Sequence, residues 1–240
     1  MFLSFLSAGD GQRALQAFEN LARHDISRWA LTGGFATEIH HLRRGRRPLM
    51  RSLNDIDFIV DSFDCIPRSL AGDFMFRHIH PLDPPGKTLM QFVDADRSLR
   101  MDVFRAFGAT MRRTELVDLP YGRVHLISLE DLLARAARLA LDLSQGVPVP
   151  SKYARDYLRL ADLANPDEVE TAWQDQRKPF HPATFREADR LLRELIPARS
   201  GLLFEPNYSK DTAALCPRCA PAGAFQLADA NQVLAALGYC

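Results

Sequence analysis

The chain has 240 residues, 47% of them hydrophobic and 25% charged, and its 30 basic and 30 acidic side chains leave a formal net charge of zero. That balance suits a globular chain with a sizeable core and excludes the global basic field by which dedicated nucleic-acid or anionic-membrane binders recruit their partners. No run of about 18 apolar residues suggests a membrane span, MFLSFLSAGDGQRAL lacks the basic flank of a signal peptide, and four cysteines do not make a disulfide framework, so a cytoplasmic chain is expected.

In chain order, residues 10–24 place Ala14, Leu15, Phe18, Leu21 and Ala22 at helical spacing, with Asp10 as the expected N-cap. RWALTGG reads as a short strand entering a glycine turn, and FATEIHHLRR as a helix with Phe35, Ile39 and Leu42 on one face. GRRPLMRSLN is a loop, and DIDFIV the next strand. FMFRHIH, TLMQFVD and LRMDVFRAF, separated by DPPGK and DADRS, predict an antiparallel meander, and RVHLI one more strand. At SLED the period becomes helical: Ser128 and Asp131 take the spacing of a capping box before Leu132, Leu133, Ala136, Leu139 and Leu143. SKYARDYLRLADLA, NPDEVETAWQDQ and PATFREADRLLREL predict three further helices, and DANQVLAALG closes an otherwise irregular tail. The expected organisation is an α/β unit over residues 1–127, a helical unit over 128–199 and a tail over 200–240.

NDIDFIV carries the chemistry. Alternation along a strand puts Asp55 and Asp57 on one side and Ile56, Phe58 and Val60 on the other. Successive same-face positions lie roughly 6.5–7 Å apart, so the two carboxylates repel and call for a positive partner. LRMDVF repeats the device, with Asp102 on the face opposite Leu99, Met101 and Val103. Three carboxylates gathered on one side of a sheet suit one or two Mg²⁺ ions with oxygen ligands. Upstream, Gly33 and Gly34 sit between a strand and a helix, where the absence of Cβ lets backbone N–H groups approach a phosphate.

Strand, Gly-Gly, helix, basic loop, Asp-x-Asp strand and a later strand Asp resemble the nucleotidyltransferases of the DNA polymerase beta superfamily, above all the minimal and abortive-infection-toxin-like ones. The matching residues are Gly33 and Gly34, Arg43 to Arg47, Asp55 and Asp57, and Asp102, over roughly residues 25–107. After SLED such proteins often place a Lys or Arg and a further Asp, for which Lys152, Arg155 and Asp156 are the candidates. The resemblance implies a mixed α/β (α+β) sheet with flanking helices and a helical C-terminal domain. It implies Asp55 and Asp57 holding Mg²⁺ (or Mn²⁺) on an NTP such as ATP, and Asp102 holding a second ion near the acceptor hydroxyl. The acceptor stays open between a tRNA end, a protein hydroxyl and a small molecule such as an aminoglycoside. Two alternatives remain: a non-catalytic nucleotide- or partner-binding module, such as one half of a toxin–antitoxin pair with an antitoxin-like partner, and a nucleic-acid binder using RRGRR and a zinc-stabilised tail.

Arg43, Arg44, Arg46 and Arg47, with Arg51 nearby, suit a triphosphate or a polyanionic acceptor, against a solvated loop as the plain alternative. Arg43, Arg46, Arg47 and Lys152 are therefore the expected nucleotide-binding cations beside Gly33 and Gly34. His78 and His80 are read as bordering a cleft, and His40 and His41 carry no function. Cys216 and Cys219, in CPRC, have the spacing of half a zinc site, with Cys240 or His181 as further ligands; an ordinary reduced pair is the competing reading. Cys65 shows no partner.

Overall fold

A computed structural model describes residues 3–79, 89–94, 99–119 and 122–206, with backbone alone at 71 and 75–79. The chain begins with helix α1 (Ala8–Leu21), whose Ala14, Ala17, Phe18 and Leu21 are buried. Ser7, not Asp10, caps it: the Ser7 hydroxyl accepts from the Asp10 N–H at 3.1 Å. Asp10 instead lies in the first turn and takes the Arg13 guanidinium at 2.8 Å, which places the helix start ahead of the expected one.

Strand β1 (Trp29–Thr32) is buried at all four positions, as a short central strand should be. Helix α2 (Gly33–Arg43) follows it without a linker. Strand β2 (Asp55–Val60) then pairs antiparallel with β1. Strands β3 (Met75–Ile79), β4 (Leu89–Asp94) and β5 (Leu99–Arg105) form the expected antiparallel series, their connecting turns lying outside the described residues. β5 returns beside β2 in parallel. Strands β6 (Glu115–Leu119) and β7 (Gly122–Leu126) make a hairpin, and β7 joins β1 in parallel. Among the described residues the result is one seven-stranded mixed sheet, ordered β3-β4-β5-β2-β1-β7-β6. β6 was not expected: it is an edge strand that buries only Val117 and Leu119, too weak an alternation to stand out.

Pairing fixes what each face carries. Trp29 and Leu31, Ile56, Phe58 and Val60, Met101 and Val103, Met90 and Phe92 stand in register on one side of β1, β2, β5 and β4. Aromatic edges knit this face to the helices: Phe58 meets Phe18 of α1 at 6.3 Å and Trp29 at 5.4 Å, and Phe18 meets Phe35 of α2 at 5.9 Å. The other face of β2 and β5 carries Asp55, Asp57 and Ile59 opposite Arg100, Asp102 and Phe104.

Helix α3 (Leu129–Ala140) starts at Ser128, which caps the Asp131 N–H at 3.0 Å. The box is not completed from the Asp131 side. Its carboxylate, fully buried, instead accepts from Ser128, Thr110 and the Arg113 fork, bonds of 2.7–2.9 Å that pin α3 to the segment before β6. Helix α4 (Ser151–Ala161) packs on α3, with helices α5 (Glu170–Gln176) and α6 (Phe185–Ala198) against α3 and each other. α5 is shorter than its sequence suggests, because residues 165–169 form a turn begun by Asn165 and Pro166. Thr184 and Glu187 complete a capping box at the start of α6. Two-residue strands β8 (Val149–Pro150) and β9 (Leu203–Phe204) pair in parallel. The apolar core runs without interruption from the sheet into these helices. No described helix is long and apolar enough to cross a membrane.

Candidate active site

The acids converge because two strands distant in sequence lie side by side in register. On parallel β2 and β5, Asp57 stands opposite Asp102 and Asp55 opposite Arg100. Thr32 of β1 extends the first row beyond Asp57, and Gln91 of β4 extends it beyond Asp102. Residues paired in a sheet share a face, so these groups point the same way. Ligand oxygens of Asp55, Asp57 and Asp102 lie within 4.8 Å of one another.

Their electrostatics are strained. Burial and the charge of Asp55 hold Asp57 up at about 6, while Arg135, Lys152 and Arg100 pull it back. Burial pushes Asp102 up to about 8; Arg100 opposes the shift, and Asp55 and Asp57 add to it. Arg100 reaches across the cluster, bonding Asp55 and placing its Nε 2.9 Å from Asp102 Oδ1. That second contact is one of charge, since Asp102 Oδ1 is buried without a hydrogen bond of acceptable geometry. A buried carboxylate oxygen left in this state, beside two further carboxylates, is a donor set of oxygens alone. It fits a hard divalent ion such as Mg²⁺ or Mn²⁺.

Gly33 and Gly34 meet the same acids. Gly33 has φ +65°, and a Cβ there would lie 1.9 Å from Asp57 Oδ2, so both backbone and space demand glycine. At Gly34 a Cβ would come 3.1 Å from Arg51 Nη1. The first turn of α2 has no side-chain cap and no acidic residue. Its leading N–H groups and the positive end of the helix dipole are therefore turned to whatever sits on the glycine turn.

A cleft of ≈ 580 Å³ joins these parts. The acids and glycines line it, and Leu132, Ala136 and Leu139 of α3 add apolar side chains. Arg135 stacks over the Phe104 ring at 4.5 Å, on the face that carries Asp102, and Lys152 enters from the first turn of α4.

Of the expected site residues, Asp55, Asp57, Asp102, Gly33, Gly34 and Lys152 line this cleft together with Arg155 and Asp156. Arg43, Arg46 and Arg47 do not; they are exposed, and Arg43 donates to Glu115 at 2.6 Å. The reason is helix length: RRGRR begins with the last residue of α2, roughly 16 Å from the glycine turn at 1.5 Å per residue. The cleft takes its cations from Arg51, Arg100 and Arg135 together with Lys152 and Arg155. Arg100 was legible in principle, since alternation along LRMD puts it on the face of Asp102. His181 stacks on Trp173 at 5.8 Å, and burial holds its pKa down at about 4. Cys216, Cys219, Cys240 and His80, like the side chain of His78, lie outside the described residues.

No protein-family model and no curated protein matches the chain. Among solved structures it is similar to the antibiotic-resistance factor ANT(2'')-Ia, at 16% identity over 77% of this chain and 96% of that one, with a TM-score of 0.45. A second ANT(2'')-Ia structure, in complex with adenylyl-2''-tobramycin, gives 15% identity, 68% and 95% coverage and a TM-score of 0.41. An antigenic nucleotidyltransferase-like protein from Paracoccidioides brasiliensis gives 16%, 83%, 95% and 0.45. At this level of identity and overlap, the chemistry of the site has to be read from its own residues.

Proposed function

We propose that the chain is a divalent-metal-dependent nucleotidyltransferase, moving a nucleoside monophosphate from an NTP to a hydroxyl. The observation that carries this reading is the convergence of Asp55, Asp57 and Asp102 within 4.8 Å, against a glycine turn at a helix N-terminus. Asp55, Asp57 and Asp102 would hold Mg²⁺ or Mn²⁺, which when bound supplies charge neutralisation at the triphosphate and lowers the pKa of the acceptor hydroxyl.

The chain's own residues do the rest. Backbone N–H groups at Gly33 and Gly34 receive phosphate oxygens, and Lys152 and Arg135 draw the polyanion toward the acids. The acceptor oxygen attacks the α-phosphorus, its proton passes to Asp102, the α–β bridging bond breaks, and pyrophosphate leaves. Catalysis of this kind is mainly positioning and charge neutralisation. The apolar side chains of α3 keep bulk water from part of the site.

One observation favours the alternative of a non-catalytic nucleotide-binding module: the Arg100 guanidinium spans Asp55 and Asp102 and already neutralises part of the acid cluster. The experiment that separates the two is incubation with each labelled NTP, Mg²⁺ or Mn²⁺, and cell extract. Label transferred to an RNA, a protein or a small molecule supports the enzyme and names the acceptor class. Metal-dependent NTP binding with no transfer supports the module.

A further inference from the structure

Arg51 stands on the segment between α2 and β2, on the cleft wall. Its backbone N–H donates to Phe5 O at 2.8 Å, and it bridges to Leu6, so the main chain there is fixed from the N-terminal side. Its side chain is held twice more. Nε donates to Glu38 Oε1 at 2.7 Å, and Nη2 to Asp156 Oδ1 at 2.5 Å. Glu38 is itself fully buried on α2 and accepts further bonds from Leu49 N and from both terminal nitrogens of Arg159, at 2.6–2.9 Å.

Two carboxylates from two helices thus set the plane of the guanidinium. They leave one nitrogen over: among the described residues Nη1 makes no hydrogen bond, and it is not among the buried unsatisfied atoms. It lies against the space left by the missing side chain of Gly34, 3.1 Å from where a Cβ would stand. A core ion pair needs Nε and Nη2, but it does not need a spare pair of N–H donors opening over a bare glycine turn. A guanidinium offers five N–H groups in a rigid fork, and an edge held in advance loses little freedom on meeting a phosphate.

We infer that Arg51 is a polyphosphate-binding residue, donating from Nη1 to a phosphate seated on the Gly33–Gly34 turn. The inference rests on the nucleotide reading above and adds a residue to it. Glu38 and Asp156 aim the fork, and Arg159 balances the charge of Glu38, so the group as a whole is neutral and acts by direction more than by net charge.

The test is equilibrium binding on the full chain with Mg²⁺, for wild type, Arg51→Gln and Arg51→Lys, using each NTP, the matching NMP and inorganic tripolyphosphate. Circular dichroism checks folding. Arg51→Gln should weaken NTP and tripolyphosphate about 10- to 100-fold, the loss of a charge-assisted hydrogen bond, and should shrink the preference for NTP over NMP. Arg51→Lys keeps the charge beside Glu38 and Asp156. Its single ammonium cannot serve both carboxylates and a phosphate, so it should still lose NTP affinity, and it supplies the test should Arg51→Gln not fold. NTP and tripolyphosphate affinities within about twofold of wild type in a folded variant would overturn the assignment while leaving the nucleotide reading intact. Equal losses for NTP and NMP would overturn it too, by showing a general distortion. Wild type that binds no NTP would overturn both.

Discussion

Asp57 and Asp102 stand opposite one another on two parallel neighbours, β2 and β5, and burial raises the pKa of both. Like charges so placed oppose folding, and their arrangement makes sense as a site for a cation. The sign of the resulting pH effect can be worked out for Asp57, which is shifted from an ordinary 3.8 to about 6. Between those values the folded protein keeps a proton that the unfolded chain has lost, so stability falls as pH rises through the window and stays low above it. Asp57→Asn removes that loss. Its melting temperature without metal should match wild type near pH 4 and exceed it at pH 7, by up to about 3 kcal/mol, or roughly 6–12 °C. Thermal melts at the two pH values check this, and a variant less stable than wild type at pH 7 would mean that Asp57 serves the fold.

Gly33→Ala should fail where Gly34→Ala is milder. At Gly33 the new methyl meets both a positive φ and the Asp57 carboxylate at 1.9 Å; at Gly34 it meets Arg51 Nη1 at 3.1 Å, a contact that a shift of a few tenths of an ångström relieves. We expect Gly33→Ala to lose at least 1–2 kcal/mol of stability together with metal–NTP binding. Gly34→Ala should keep most of its stability and lose nucleotide affinity. Melts paired with binding isotherms would show it; equal behaviour of the two variants would contradict the packing described.

The cations of the cleft should separate from those of the basic loop. Arg135→Gln and Lys152→Gln should each weaken Mg²⁺–NTP binding about tenfold, increasingly so at low salt, as expected for charges close to a polyanion. Replacing Arg43, Arg46 and Arg47 together should leave NTP affinity within about twofold, because those residues lie at and beyond the C-terminal end of α2, away from the glycine turn. If that triple replacement also abolishes label transfer, the loop serves a polyanionic acceptor.

Asp131 should matter to stability and little to chemistry. It is fully buried and accepts from Ser128, Thr110 and Arg113. Asp131→Ala removes the buried acceptor shared by Ser128, Thr110 and Arg113, while Asp175 still pairs Arg113 at 2.6 Å, a change that costs about 2–3 kcal/mol. A melting temperature lowered by roughly 4 °C or more, with nucleotide affinity retained below it, is the expected result.

What could be read from the sequence, and what could not, follows the range of the interactions. Alternation in DIDFIV and LRMDVF is local, and it put Asp55, Asp57 and Asp102 on the correct faces. That Asp57 would meet Asp102 required a long-range parallel register that no local pattern encodes. Helix and strand identities were legible where apolar spacing was strong, as in α3, and not in β6, whose two buried residues make almost no pattern. The start of α1 moved because Ser7 and Asp10 are both good caps, and only the position of Arg13 and Leu53 decides between them. The cations were the hardest. RRGRR is conspicuous but sits at the far end of α2, whereas in sequence Arg51 reads only as a neighbour of that cluster and Arg135 as any solvated arginine. Their roles depend on Glu38, Asp156 and Phe104, which reach them only in the folded chain.

The central claim is that three aspartates form a divalent-metal site for an NTP, and ligand-induced stabilisation tests it most directly. Wild type, Asp55→Asn, Asp57→Asn and Asp102→Asn would be melted alone, with Mg²⁺ or Mn²⁺, with each NTP, and with metal and NTP together. The expected result is a rise in melting temperature for wild type with metal and at least one NTP, larger than with either alone, and lost in all three variants. No rise in wild type with any NTP and either metal, or an undiminished rise in the variants, would contradict it.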